Sequence, residues 1–344
     1  MHIPDGFVNI PVAAVTGVVS AGALGYSLKK AGKELGEKSV PLLGVTAAFV
    51  FAAQMLNFPV AAGTSGHFLG AVLACVLLGP WAGFLVITSV LLLQALLMAD
   101  GGITALGANV MNMALIGGWL GYAIFQGLKR LFGRTPGGFL ACVTIASWLS
   151  VVLASAACAV ELWASGTVPL RLALPAMVSV HMIIGVGEAL IGTAVVAVVI
   201  KARPDLVRSL PSSLRQTVGR TVPAPAPVST LASPAPRGVP ATRSMARPRM
   251  WTFAAIALVV ALALVVFVAP FASPWPDGLE KVAEDTGFAT AATEPLWTFS
   301  PLPDYTVPVL GEGMWSTAVA GLVGTLVLCG LVLVLGRILG RAPR

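Results

Sequence analysis

Charged side chains are scarce in this sequence. Asp, Glu, Lys and Arg together make up 10% of the 344 residues, whereas soluble globular proteins contain about 25%. Hydrophobic residues make up 57%, and the mean hydropathy is +0.91. This balance excludes an ordinary soluble domain. It indicates a polytopic membrane protein, in which the lipid bilayer replaces a single large core.

Residues that often bind metals are also few. The chain has only three histidines and four cysteines. The cysteines lie in apolar runs without a C-x-x-C pair, at Cys75, Cys142, Cys158 and Cys329. We interpret them as small residues of membrane helices, neither disulfides nor ligands.

Motifs for nucleotide binding and catalysis are missing. The sequence contains no Walker P-loop, zincin motif, nucleophile elbow or paired carboxylates. We therefore expect neither a bound nucleotide nor an enzyme. The net charge of +7 lies in short basic clusters between apolar runs, which favours a membrane topology signal over a nucleic-acid partner.

Nine apolar runs are candidates for membrane helices, which need about 17–25 residues. They cover residues 8–28, 41–57, 67–79, 82–99, 103–127, 138–163, 175–200, 250–272 and 314–336. The third run is short, so we expect it to be tilted or broken at Gly79-Pro80. The expected fold class is an all-α polytopic membrane protein of about nine transmembrane helices.

Four basic clusters follow the first, fifth, seventh and ninth of these runs. They are Lys29, Lys30, Lys33 and Lys38; Lys129, Arg130 and Arg134; Lys201, Arg203 and Arg208; and Arg337, Arg341 and Arg344. All four clusters fall on one side of the membrane if the N-terminus is outside. Because basic residues favour the cytoplasmic side, this pattern predicts an outside N-terminus in the cell membrane. No cleavable signal is apparent, so we expect Met1 to remain.

A change of composition divides the chain. Residues 202–249 are rich in Pro, Ala and Ser with scattered Arg, which predicts a disordered cytoplasmic linker. The linker separates a seven-helix unit, residues 1–201, from a two-helix unit, residues 250–344. The second unit contains an acidic outer loop at about 273–313, which we expect to raise the local concentration of cations.

The chain begins "MHIPDGF", and a chain that starts Met-His can chelate a metal. The α-amine of Met1, the amide nitrogen of His2 and the His2 ring would form fused chelate rings. Square-planar nitrogen ligation of this kind suits Ni(II) or Cu(II). His67, in "GTSGHFLG" on the same predicted outer face, is the candidate fourth donor. The plainer alternatives are a chance histidine on a frayed terminus and a hydrogen-bonded helix end.

A second pair of ionisable residues is a rival site. His181 and Glu188 are seven residues apart on the seventh run and so share a helix face. They would support a proton-coupled secondary transporter, although an interhelical contact explains them equally well. Several polar residues are candidates for hydrogen bonds that orient the ligands of a metal site. They are Ser65, Gln94, Asn109 and Asn112.

Four segments together resemble a known family. They are "MHIPDGF", "AAGTSGHFLGAVLACVLLGPWAG", "LLLQALLMADGGITALGANVMNM" and "SVHMIIGVGEALI". They are similar to the M component of cobalt and nickel energy-coupling factor transporters, the CbiM/NikM family. "WPDGLEKVAEDTGF" resembles the small PDGLE-type N component (NikN/CbiN-like), so the chain looks like an M–N fusion.

This resemblance implies a substrate-binding subunit of an ABC importer. Its cargo would be Ni²⁺ or Co²⁺, with a modest preference for nickel. Its partners would be a transmembrane T component (CbiQ/NikQ-like) and ABC ATPases (CbiO/NikO-like). The family's metal ligands correspond here to Met1, His2 and His67.

Overall fold

A computed structural model describes residues 1–36, 39–61, 63–220, 247–311 and 313–341. Apart from short 3₁₀ segments, its helices in chain order are α1 (Ile10–Glu34), α2 (Val40–Gln54), α3 (Ala71–Leu78), α4 (Pro80–Leu97), α5 (Leu106–Phe132), α6 (Pro136–Ala164), α7 (Leu170–Ala202), α8 (Ser212–Arg220), α9 (Arg247–Phe267), α10 (Gly278–Thr286) and α11 (Met314–Gly340). Strands β1 (Phe58–Pro59) and β2 (Ser65–Gly66) form one short antiparallel pair. The predicted all-helical membrane fold is confirmed.

Seven helical segments within the described residues are long and apolar enough to cross a membrane. They are α1, α4, α5, α6, α7, α11 and Met250–Phe271, which contains most of α9. The other two predicted spans form shorter helices, because α2 has 15 residues and α3 has only 8. The break after α3 lies at Gly79, whose φ of 87° is in the left-handed region that favours glycine, and Pro80 then begins α4.

The linker prediction is wrong for its first part. Instead of an irregular chain, residues 204–206 form a 3₁₀ turn and α8 follows. Apolar side chains of this part are buried, including Leu206 and Leu210. Its backbone bonds to the end of α3, because the N–H of Ser209 donates to the carbonyl of Val76 at 3.2 Å. Composition missed this contact since it is tertiary. Residues 221–246 of the predicted linker lie outside the described residues.

Helices α9 and α11 pack against α2, and α7 packs along α6. The segment between α9 and α11 lies over the end of the helices that carries the amino terminus. Its backbone forms hydrogen bonds at the ends of two helices. Ser273 N–H donates to the carbonyl of Asn57, just after α2, at 2.7 Å, and Leu302 N–H donates to the carbonyl of Leu97, the last residue of α4, at 3.0 Å. The same segment also bonds to the start of the chain, because Thr293 N–H donates to the carbonyl of Asp5 at 3.0 Å and Leu296 N–H donates to Asp5 Oδ2 at 3.0 Å. This segment, called the outer cover below, therefore lies over the amino terminus.

Candidate metal site

The amino terminus folds inward as a hook, residues 1–6, before α1 begins, and Met1, Ile3 and Asp5 of this hook are buried. Met1 is 5% exposed and Ile3 is fully buried. The Asn109 side chain binds both backbone groups of Ile3, accepting from its N–H at 2.8 Å and donating to its carbonyl at 3.1 Å. Gly102 N–H donates to the same carbonyl at 2.9 Å. These bonds fix the backbone directly after His2, so the terminus is not frayed.

The Met1 amine meets His67 inside the protein. The amine nitrogen lies 2.7 Å from His67 Nε2. His67 Nδ1 donates to the carbonyl of Phe68 at 3.2 Å, which leaves Nε2 with a lone pair facing the amine. Metal-binding histidines usually donate their second ring N–H in this way. A metal–nitrogen bond of about 2 Å would place adjacent square-planar donors about 2.8 Å apart, which matches the observed spacing.

The His2 ring completes this group. It stacks on the His67 ring with 5.0 Å between centroids and an interplanar angle of 17°. Its buried Nε2 has no hydrogen-bond partner among the described residues. Its Nδ1, the ring nitrogen that can close a chelate ring with the His2 amide, lies 3.1 Å from Asp100 Oδ1, so a metal bound there would replace this contact. Burial lowers the pKa of His2 and of His67 to about 3. Both rings are therefore neutral at physiological pH and have lone pairs to offer a metal.

Side chains alone do not form a metal site among the described residues. No group of three or more His, Cys, Asp or Glu residues could hold a metal ion within the part of the chain that the structure describes. The candidate site therefore needs main-chain nitrogens, the Met1 amine and the His2 amide, as donors beside the two rings. A site of this kind depends on the first residue being Met1 and the second being His2.

The four predicted supporting residues differ in position. Asn109 binds the backbone of Ile3. Gln94 donates to the Tyr305 hydroxyl at 3.0 Å, and this hydroxyl donates to Asp100, which faces His2. The Ser65 hydroxyl donates to the carbonyl of Trp275 at 2.7 Å, so it holds the outer cover rather than the ligands. Asn112 donates to Glu161 on α6 at 2.6 Å and has no contact with the three candidate ligands among the described hydrogen bonds.

Sequence reasoning missed Asp277, which reaches the site from the outer cover. Its Oδ2 accepts a short hydrogen bond from the Met1 amine and lies 3.8 Å from His67 Nε2. Burial alone would raise the pKa of Asp277, but the N-terminal ammonium and His67 outweigh it and hold the pKa well below its usual range. The only sequence signal was its place in "PDGLE", just before a helix.

The rival pair does not form a direct contact of its own among the described hydrogen bonds. Glu188 is fully buried, and its two carboxylate oxygens accept from Leu69 N–H at 2.6 Å and Gly70 N–H at 3.0 Å. It thus clamps the backbone two and three residues after His67. His181 Nδ1 donates to the Met177 carbonyl at 2.7 Å on its own helix.

Comparisons with known proteins agree with this architecture. The CbiM model, described as a cobalt uptake substrate-specific transmembrane region, matches residues 2–206, and a PDGLE domain matches residues 251–341. A putative fused nickel transport protein NikMN of Archaeoglobus fulgidus is 34% identical over 98% of both chains. The fused nickel transport protein NikMN of Rhodobacter capsulatus is 33% identical over 60% of this chain and 64% of its own.

A solved structure is also similar. The crystal structure of a transition metal transporter is 32% identical, has a TM-score of 0.55, and matches 65% of this chain and 100% of its own. These findings confirm the resemblance that the four sequence segments suggested. The chain belongs to the CbiM family and carries a PDGLE domain after its CbiM region.

Proposed function

We propose that this protein is the substrate-binding membrane subunit of an ECF-type ABC importer for nickel or cobalt. Four nitrogens would bind the ion: the Met1 amine, the His2 amide and ring, and the His67 ring. The observation that carries the proposal is the 2.7 Å approach of the buried amine to His67 Nε2 beside the stacked His2 ring. Binding requires the ammonium and the amide to lose a proton each, which a strongly bound metal drives.

Nitrogen ligation in a square plane favours nickel over cobalt, because Ni(II) adopts that geometry readily. The names of the fused relatives point the same way, since both are nickel transport proteins. Cobalt remains the second cargo of the proposal, in line with the description of the family. We propose no nucleotide site on this chain and assign the ATP-driven step to partner ATPases.

The proposal places the metal site at the outer face of the cell membrane. The distribution of basic clusters supports this orientation. The hook precedes α1, whereas the last turn of α1 contains Lys33, so the candidate ligands and this basic cluster lie at opposite ends of that helix. We also propose that the CbiM-like and PDGLE-like parts act as two units, supported by the two separate matches at residues 2–206 and 251–341.

Uptake into vesicles tests the proposal. We expect the chain, reconstituted with the family's T component and ATPases, to import radioactive Ni²⁺ when ATP is supplied on the ATPase side. An ATPase variant without hydrolytic activity should remove this ATP-dependent uptake. Uptake that ignores ATP but stops with an uncoupler would contradict the proposal and support the proton-coupled alternative.

A variant of Glu188 distinguishes ATP-driven import from proton-coupled transport. Glu188→Gln is expected to weaken Ni²⁺ binding by about tenfold, because a carboxamide can accept from only one of the N–H groups of Leu69 and Gly70 and directs its own NH₂ at the other. Calorimetric titration measures this, with Glu161→Gln as the control for a buried membrane carboxylate that pairs elsewhere. Normal Ni²⁺ binding combined with lost transport would instead identify Glu188 as a proton carrier.

A further inference from the structure

The PDGLE segment, Pro276 to Glu280, packs against the residues of the candidate metal site. The carbonyl of Pro276 accepts from Ser65 N–H at 2.9 Å, two residues before His67. Asp277 contacts the Met1 amine. The side chain of Leu279 is fully buried. Glu280 accepts from Asp277 N–H at 2.9 Å.

Asp277 is held rigidly in this position. It is the N-cap of α10, and its Oδ1 accepts from Leu279 N–H at 2.8 Å and from Glu280 N–H at 2.9 Å. With the return bond from Glu280, these contacts form a capping box. One carboxylate oxygen thus fixes the helix, and the other, Oδ2, points at the amine and at His67.

Gly278 permits this close docking. A Cβ built on Gly278 would lie 2.8 Å from His181 Cε1 and 2.8 Å from a carbon of Ile184. Both contacts are closer than real Cβ atoms approach, so a larger residue would push the segment away from α7. His181 therefore has a packing role beneath the PDGLE segment.

A divalent cation in this pocket needs negative charge nearby. Met1 is 5% exposed, and the side chain of Asp277 is 13% exposed, so water screens the site poorly. The four proposed nitrogen donors together contribute a single negative charge, from the deprotonated amide of His2. One positive charge remains after the ion binds, and a buried charge is costly unless it is paired.

We infer that Asp277 supplies counter-charge at the Met1 amine and His67, while Asp100 faces His2, so that the PDGLE segment completes a metal site whose donors all lie in residues 1–67. This inference rests on the proposed function. In the metal-free chain the carboxylate holds the ammonium of Met1 beside His67. In the loaded chain it helps to balance the remaining positive charge without replacing a nitrogen ligand. Asp277 is thus a positioning residue, and the second unit acts on affinity through it.

The test is Asp277→Asn in the full chain with a native amino terminus. Asn is as good an N-cap as Asp, so α10 should keep its start. The charge is lost, and an NH₂ group replaces the acceptor oxygen that faces the Met1 amine. We expect Ni²⁺ affinity in calorimetric titration to fall by about tenfold, because the carboxylate also pairs with the Met1 ammonium of the metal-free chain, and that pairing offsets part of the charge interaction lost in the loaded chain. Asp285→Asn, on the exposed side of the same helix, is the matched control and should change affinity less than about twofold.

Three further readouts separate a counter-charge from other roles. The visible absorption spectrum of bound Ni²⁺ should be unchanged in Asp277→Asn, because the four nitrogen ligands remain. Asp277→Glu should recover part of the affinity, because it restores the charge. The loss should persist at high salt, whereas an effect of the exposed acidic loop on local cation concentration would be screened.

Equal affinity of Asp277→Asn and Asp285→Asn would overturn the inference while leaving the proposed function intact. An altered Ni²⁺ spectrum in Asp277→Asn would also overturn it, because Asp277 would then be a direct ligand. Failure of the unsubstituted chain to bind Ni²⁺ would refute the proposed function itself, so the two failures are distinguishable.

Discussion

The protein whose Met1 retains its formyl group is expected to bind Ni²⁺ about a thousandfold more weakly than the protein with a free Met1 amine. Formylation converts the amine into an amide and removes one of four donors, together with the chelate ring that it closes. Structural zinc sites bind with about 10–16 kcal/mol, so one donor in four accounts for about 2.5–4 kcal/mol, or roughly a hundredfold to a thousandfold. The lost chelate ring places the amine at the upper end of this range. His2 and His67 are untouched, and the added group is small.

Both forms can be prepared from one expression strain with and without an inhibitor of deformylation, and intact mass identifies each. Calorimetric titration then gives the two affinities, and thermal unfolding of the metal-free chains checks that the fold survives. A formyl group suits this test better than a single added residue. A histidine in third position chelates metals with the amine and two amides, and so could create a new site. Equal affinities would remove the amine from the ligand set.

Replacing His67 by Ala is the second change with a large expected effect. It removes the fourth nitrogen, which no other histidine can supply, because His181 donates from Nδ1 to Met177 and packs beneath Gly278. We expect Ni²⁺ affinity to fall by roughly a hundredfold to a thousandfold, which is the share of one donor in four without a lost chelate ring. The apolar helix packing stays intact, so the metal-free chain should unfold near its usual temperature.

The matched control uses the remaining histidine of the chain. His181→Asn keeps a side-chain N–H that can donate to the carbonyl of Met177, and it should change Ni²⁺ affinity less than about tenfold. The comparison is made by titration of both variants under one set of conditions. A larger loss for His181→Asn than for His67→Ala would transfer the site to α7 and favour the rival pair.

The sequence predicted the membrane fold well, because apolar runs and basic clusters are local signals. All nine predicted runs contain helices, and the break at Gly79-Pro80 is present. The lengths of α2 and α3 were overestimated, since hydropathy does not report where a helix ends. The start of the linker was also misjudged, because Leu206 and Leu210 are buried by contacts that composition cannot reveal.

The candidate site was only partly predictable. The special chemistry of Met1 and His2 follows from their order in the chain, and the predicted topology brought His67 to the same face. The structure places the amine and His67 Nε2 in contact. The clamp from Glu188 to Leu69 and Gly70 was not predicted, because an isolated carboxylate in an apolar run is compatible with several roles.

Asp277 shows what limits prediction of such a site. It lies 276 residues from Met1 in sequence, beyond the reach of any local pattern. Its position as an N-cap explains its local structure completely, so nothing in the sequence calls for a second role. Only the docking of the PDGLE segment on the hook brings its second carboxylate oxygen to the amine.

The proposed nitrogen ligation of nickel can be measured by X-ray absorption at the nickel edge. The sample is the purified full chain with one equivalent of Ni²⁺. We expect four nitrogen donors at about 2 Å in a square plane, with two imidazole rings contributing to the outer-shell scattering. Six-coordinate nickel surrounded mainly by oxygen would contradict this ligation, because the Met1 amine, His2 and His67 would then not be the ligands.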